Sequence, residues 1–112
     1  MSEKSSCDLI VTIVNKGDAE KVVTVSKEAG AGGGTIFFAR GTCSHDQVKL
    51  FGIAIEPEKE IVLTLVEKWK TDKVFAAIYE CLNLEQPGKG IAFTVDVGKV
   101  AGFSPGATLS SD

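Results

Sequence analysis

The 112-residue chain has one histidine and three cysteines, and no two of the cysteines are close in sequence. Cys7, Cys43 and Cys81 are odd in number and contain no CxxC pair, which argues against a disulfide framework and against a zinc site of the usual spacing. Lysine and arginine total 12 against 15 acidic residues, giving a net charge of −3, and the cations form no cluster. A nucleic-acid-binding surface needs a basic stripe that displaces counterions from phosphates, so that class is not expected. No stretch approaches the ~20 apolar residues that span a bilayer. The amino-terminal Met1-Ser2-Glu3-Lys4-Ser5-Ser6 is polar and lacks the apolar core of a signal peptide, so the chain is expected in the cytoplasm. A lone histidine and no carboxylate pair at a strand end leave no visible set of nucleophile, base and oxyanion site. An enzyme is therefore not expected, nor a metal or catalytic cofactor.

What is present is enough for a core. Hydrophobic residues make up 44% and charged residues 24%, so residues 1–112 read as one globular α+β domain. The β-branched run from Asp8 to Val14 reads as a strand, broken by Asn15-Lys16-Gly17. Asp18 can cap a helix through Glu28 or Ala29. There Ala19, Val22, Val23, Ser26 and Ala29 share a face, and Gly30 supplies a stop. A second strand covers Thr35 to Ala39, and a long segment runs from Arg40 to Glu60. A third strand covers Ile61 to Val66. Thr71 is placed to cap a second helix through about Leu82, buried through Val74, Phe75, Ile78, Cys81 and Leu82. A turn at Pro87-Gly88-Lys89-Gly90 leads to a fourth strand, Ile91 to Val97, and a flexible tail is expected over 102–112.

The two halves repeat. Ile10-Val11-Thr12-Ile13-Val14 matches Val62-Leu63-Thr64-Leu65-Val66 at an offset of 52 (62 − 10), which also pairs Val22 with Val74 and Glu28 with Glu80. Two βαβ units in tandem predict a ferredoxin-like βαββαβ fold, an antiparallel four-stranded sheet with both helices on one face. In the first strand Leu9, Val11 and Ile13 oppose Ile10 and Val14, so the face away from the helices is apolar as well. A monomer would expose that patch, which predicts a closed homo-oligomer.

Three places carry candidate chemistry. The Gly30 to Gly34 run closes a helix and enters a strand, the reverse of a phosphate cradle. It reads as a helix stop with a close backbone approach, although the bare amides of Gly33 and Gly34 can hold a ligand. The Arg40–Glu60 segment is long for a compact domain and is read either as a hairpin extension packed in the oligomer or as a recognition loop. Its Cys43, His45 and Asp46, followed by Leu50-Phe51-Gly52-Ile53-Ala54-Ile55, make Cys43, His45, Phe51 and Ile53 the candidate partner contacts. The Gly88-Lys89-Gly90 turn is a candidate anion holder through Lys89 and its amides.

In the order and spacing of these elements the chain resembles the PII signal-transduction family of nitrogen regulators over roughly residues 8–101. Gly33-Gly34-Thr35 resembles the start of the family's second strand. Arg40-Gly41 resembles the basic-glycine pair that opens its long T-loop, and Pro57-Glu58-Lys59-Glu60-Ile61 the return from it. Gly88-Lys89-Gly90 with Phe93, then Asp96-Val97-Gly98-Lys99-Val100, resembles its B-loop and last strand. The resemblance implies a cytoplasmic homotrimer with ATP or ADP, often with 2-oxoglutarate, in clefts between subunits. It also implies a T-loop that contacts a target transporter, enzyme or regulator. By position Thr35, Arg40, Thr64, Gly88, Lys89 and Gly90 would line the cleft, with Gly41, Cys43 and His45 at the root of the T-loop.

The chain departs from the family pattern where charge matters. Its T-loop is several residues shorter and has no tyrosine, so uridylylation is not implied. Ile91 stands where the phosphate-binding lysine of the B-loop would be, His45 where a glutamine would be, and Gly102 and Ser104 where arginines would be. Each lost charge-assisted bond removes roughly 1.5–3 kcal/mol, so triphosphate binding should be weakened. The alternative is a metal-binding trimer of the same fold, serving metal tolerance through Cys43 and His45.

Overall fold

The computed structural model describes residues 6–41, 48–50, 53–55 and 58–103. The chain order is β1 (Cys7–Asn15), α1 (Ala19–Glu28), β2 (Thr35–Arg40), β3 (Val48–Leu50), β4 (Ile53–Ile55), β5 (Glu58–Glu67), α2 (Lys68–Leu82) and β6 (Gly90–Asp96). The sheet has the order β2-β5-β1-β6, and all its neighbours are antiparallel. Within the 40–60 segment β3 and β4 form a separate two-stranded hairpin.

Period-two burial follows from the sequence. Along β1, Ile10, Thr12 and Val14 are buried, and along β5 so are Glu60, Val62, Thr64 and Val66. These side chains meet Ala19 and Val22 of α1 and Val74, Ile78 and Leu82 of α2 in one core, so both helices cover the same face. The ferredoxin-like α+β arrangement expected from the repeat is what forms. The repeat extends to Thr12 and Thr64, whose buried hydroxyls find no hydrogen-bond partner among the described residues.

The opposite face is apolar from edge to edge. The registers align Ile13 with Ile61 and Ile91, Val11 with Leu63 and Phe93, and Leu9 with Leu65 and Val95, while Phe37 of β2 lies beside Ile61. Phe37, Ile91, Phe93 and Val95 are 43–59% exposed.

Helix α1 ends as expected. Gly30 takes φ +119 and donates to Lys27 O while Ala31 donates to Ser26 O, a Schellman closure that needs a positive φ. Its start differs from expectation. Asp18 makes no capping hydrogen bond; the Ala19 N–H donates instead to Glu60 Oε1 at 2.9 Å, and Asp18 pairs with Lys21. Helix α2 begins at Lys68, three residues before the expected cap. The Thr71 hydroxyl is turned to Asp8 Oδ2 at 2.8 Å, which removes it from the capping role, and Trp69 falls inside the first turn. The helix closes at Asn83 in the left-handed region.

Candidate functional site

Antiparallel pairing brings four chain segments to one end of the sheet. The end of β1, the start of β5, the end of β2 and the start of β6 all meet there, because Val14 pairs with both Glu60 and Gly90 and Arg40 pairs with Glu58. The long 40–60 segment leaves and returns at this end. We call it the loop end.

Charge is laid across it in a row. Lys16 Nζ lies 3.0 Å from Glu58 Oε1, and Arg40 stands opposite Glu58 on β2. Hydrogen bonding to Glu58 holds the Lys16 ammonium above its ordinary pKa. Lys16, Phe38, Ala39, Arg40 and Glu58 line an open groove of about 590 Å³, and Phe38 at its rim is 75% exposed. Two cations around one carboxylate beside a bare aromatic ring suit an anion with a flat apolar part.

The turn before β6 sits alongside. Gly88 takes φ +83 and Gly90 φ +143. A Cβ on Gly90 would lie 2.8 Å from the Ile13 carbonyl oxygen, so only glycine fits where the turn enters the sheet. Lys89 between them is exposed. Asn15, the last residue of β1, donates from Nδ2 to the Gly88 carbonyl at 3.0 Å and accepts at Oδ1 from Lys59 Nζ at 2.8 Å. The Lys59 stem in turn lies over Gly41, where an added Cβ would be 3.1 Å from Lys59 Cγ.

Arg40, Gly41, Gly88, Lys89 and Gly90 therefore converge at the loop end. Among the described residues, Gly33, Gly34, Thr35 and Thr64 stand elsewhere in this subunit. Thr35 begins β2 opposite Leu63, five residues and about 17 Å of strand from Arg40. Gly34 packs against Val62, and a Cβ there would be 3.1 Å from Val62 Cγ1, which is the close approach read from the glycine run; Gly33 meets nothing. Thr64 is fully buried between sheet and helices. Cys43, His45 and Phe51 lie outside the described residues, as does the tail over 104–112, and Ile53 lies in β4. Among the described residues no three metal-ligating side chains cluster, Cys7 and Cys81 are free thiols, and no helix is long and apolar enough to cross a membrane.

Sequence reasoning passed over Asn15, Lys16, Phe38 and Lys59. Asn15 and Lys16 read only as a strand break, and Phe38 as part of an apolar strand.

No protein-family model matches the chain, and no curated protein does. Solved structures do match. PII of Arabidopsis thaliana bound to citrate superposes with a TM-score of 0.65 at 22% identity, over 84% of this chain and 79% of that one. The GlnK–ATP complex of B. subtilis gives 0.63 at 18% identity, over 87% and 84%. GlnK of B. subtilis gives 0.60 at 18% identity, over 83% and 86%. At these identities the likeness establishes the fold, and the fold is that of PII proteins.

Proposed function

We propose that the chain is a divergent PII-like regulator, cytoplasmic and non-enzymatic, that works as a homotrimer. A small anionic effector, an adenine nucleotide first among them, binds in clefts where the loop end of one subunit meets its neighbour. Occupancy changes how the 40–60 segment engages a target protein (a transporter, enzyme or regulator), in a role connected with nitrogen metabolism. Residues 1–112 act as a single domain in this reading. Gly33, Gly34 and Thr35 on one side, and Arg40, Gly41 and the Gly88–Gly90 turn on the other, contribute to the cleft from different subunits.

The observation that carries the reading is the bare sheet face, apolar across four strands, with the cationic loop end at its margin. Burying that face against copies of the same chain removes a patch larger than monomers usually tolerate. In this reading the assembly sets Thr35 of one copy beside another copy's loop end, which one subunit alone keeps a strand's length apart. Solved relatives in fold carry citrate in one case and ATP in another, which supports a small-anion site.

Two measurements on the purified full chain test this. Light scattering should return three times the chain mass; a monomer would sink the assembly. Calorimetry with ATP and ADP, with and without Mg²⁺ and 2-oxoglutarate, should give micromolar binding near one site per subunit. No heat and no thermal shift with either nucleotide would sink the nucleotide reading.

A further inference from the structure

Three segments that the fold brings to the loop end have no covalent reason to move together: the turn 88–90, the root of the long segment at Gly41, and the start of β5. Besides the strand ladder, the Asn15 side chain links them. The Asn15 amide faces a carbonyl oxygen on one side, Gly88 at 3.0 Å, and an ammonium on the other, Lys59 at 2.8 Å. Lys59 lies on Gly41 through its stem. From these contacts we infer that Asn15 is a positioning residue that couples the 88–90 turn to the root of the 40–60 segment. Its functional meaning rests on the regulatory reading above, in which those two places serve effector and partner.

The chemistry singles out asparagine. The Gly88 carbonyl requires a donor and the Lys59 ammonium requires an acceptor. An amide offers both on one rigid plane, and the two partners fix its orientation, because a flipped amide would set oxygen against oxygen and NH₂ against NH₃⁺. Aspartate serves Lys59 and repels Gly88. Alanine serves neither. The side chain stands at the end of β1, a strand held on both edges by β5 and β6, so its base is anchored while its tip touches two loops. A shift of the turn that breaks the Gly88 contact leaves the amide free to rotate. The Lys59 ammonium then loses one fixed acceptor, and the stem over Gly41 loses one of its anchors. The contacts are partly exposed, so each direction of coupling is expected at a few-fold, the scale of one hydrogen bond.

The test is backbone amide exchange by NMR on the full chain with no effector added, so its outcome is independent of the nucleotide calorimetry. Lys59→Met should speed exchange at the ladder amides that follow the turn, Gly90 and Ile91, by about fivefold in the wild-type background and by nothing further in an Asn15→Ala background. Asn15→Asp should speed exchange at Gly90 and Ile91 while leaving 58–60 as protected as in the wild type. Amides at the other end of the sheet, near Asp8 and Asp96, should stay unchanged in every variant. The inference is overturned if Lys59→Met leaves Gly90 and Ile91 unaffected, or acts equally with and without Asn15. It is also overturned if the far-end amides accelerate as much as the loop-end ones, since that would mark a loss of overall stability.

Discussion

At one end of the sheet Lys68, the first residue of α2, reaches between Asp8 of β1 and Asp96 of β6, hydrogen-bonding both. Thr71 adds a second bond to Asp8, and the backbone closes the corner through Lys68 N–H to Ser6 O and Val97 N–H to Cys7 O. At the loop end the polar groups stand on turns and strand ends, and the links between them include the Asn15 amide, the Lys16–Glu58 ion pair and the Glu60 carboxylate on the Ala19 amide. Both ends belong to the same antiparallel sheet and both carry charge. The difference is one of composition: the far end sets Asp8, Lys68 and Asp96 against one another beside Thr71, whereas the groove at the loop end has an exposed aromatic ring, Phe38, beside Lys16, Arg40 and Glu58. The far-end ion pairs tie β1, α2 and β6 together, whereas the exposed ring at the loop end adds an apolar contact that a ligand can use.

The sharpest way to break this contrast is at Gly90. Alanine there must take φ +143 with its Cβ 2.8 Å from the Ile13 carbonyl, and neither backbone can yield without opening the β1–β6 ladder. We expect a loss of about 3 kcal/mol, seen as a fall in Tm of roughly 10 °C or more. Gly88→Ala should cost about 1 kcal/mol, because its φ of +83 is strained but nothing lies within 4 Å. At the far end Gly98→Ala should be silent, since its site is open and its φ ordinary. Urea unfolding of the three variants checks the order; equal costs at Gly90 and Gly98 would show that the entry of the turn into β6 does not require glycine.

The next effect in size is the start of α1, which anchors the helix to the loop end. Glu60→Ala removes the acceptor of the Ala19 N–H and should cost about 1 kcal/mol, the usual worth of an N-cap. Glu60→Gln keeps an oxygen in place and should cost less, and Asp18→Ala should have little effect. A larger loss from Asp18→Ala than from Glu60→Ala, in urea unfolding, would restore the local cap suggested by the sequence.

That pair of residues shows what a sequence can and cannot reveal here. The helix-facing stripe of Ile10, Val14, Val62 and Val66 was legible because strand periodicity is local, and so was the stop at Gly30. The second apolar face was legible for the same reason, since Leu9, Val11 and Ile13 stand between the core positions. The cap at Glu60 was not legible, because it lies 41 positions from the amide it satisfies. Asn15 lies 73 positions from Gly88. Both contacts depend on strand register, which a single sequence states only through its pattern. Thr71 misled for a related reason: its spacing suits a cap, but Asp8, 63 positions away, competes for its hydroxyl. Of the loop-end site, the basic-glycine pair and the glycine turn could be read, whereas the groove with Lys16 and Phe38 needed the fold.

The smallest effect expected is also the one that separates the two ends by pH. Hydrogen bonds from Lys68 and then Thr71 hold the Asp8 carboxyl below its ordinary pKa of 3.8. A carboxylate favoured in the folded state contributes stability above its unfolded pKa, and that contribution is lost as pH falls through the lowered folded value. Lys68, held above its ordinary 10.5 by Asp8 first and Asp96 second, contributes below that value for as long as its carboxylate partners stay ionised, as does Lys16 at the loop end. Acid should therefore loosen the far end through Asp8. In urea unfolding between about pH 6 and pH 2, the stability gap between wild type and Asp8→Asn should hold constant in the upper part of the range. It should then narrow below pH 3.8 as wild-type Asp8 becomes protonated and resembles its neutral variant. A gap that persists unchanged to the acid limit would mean that the far-end corner owes its strength to packing and backbone bonds, with Asp8 adding no charge-dependent part.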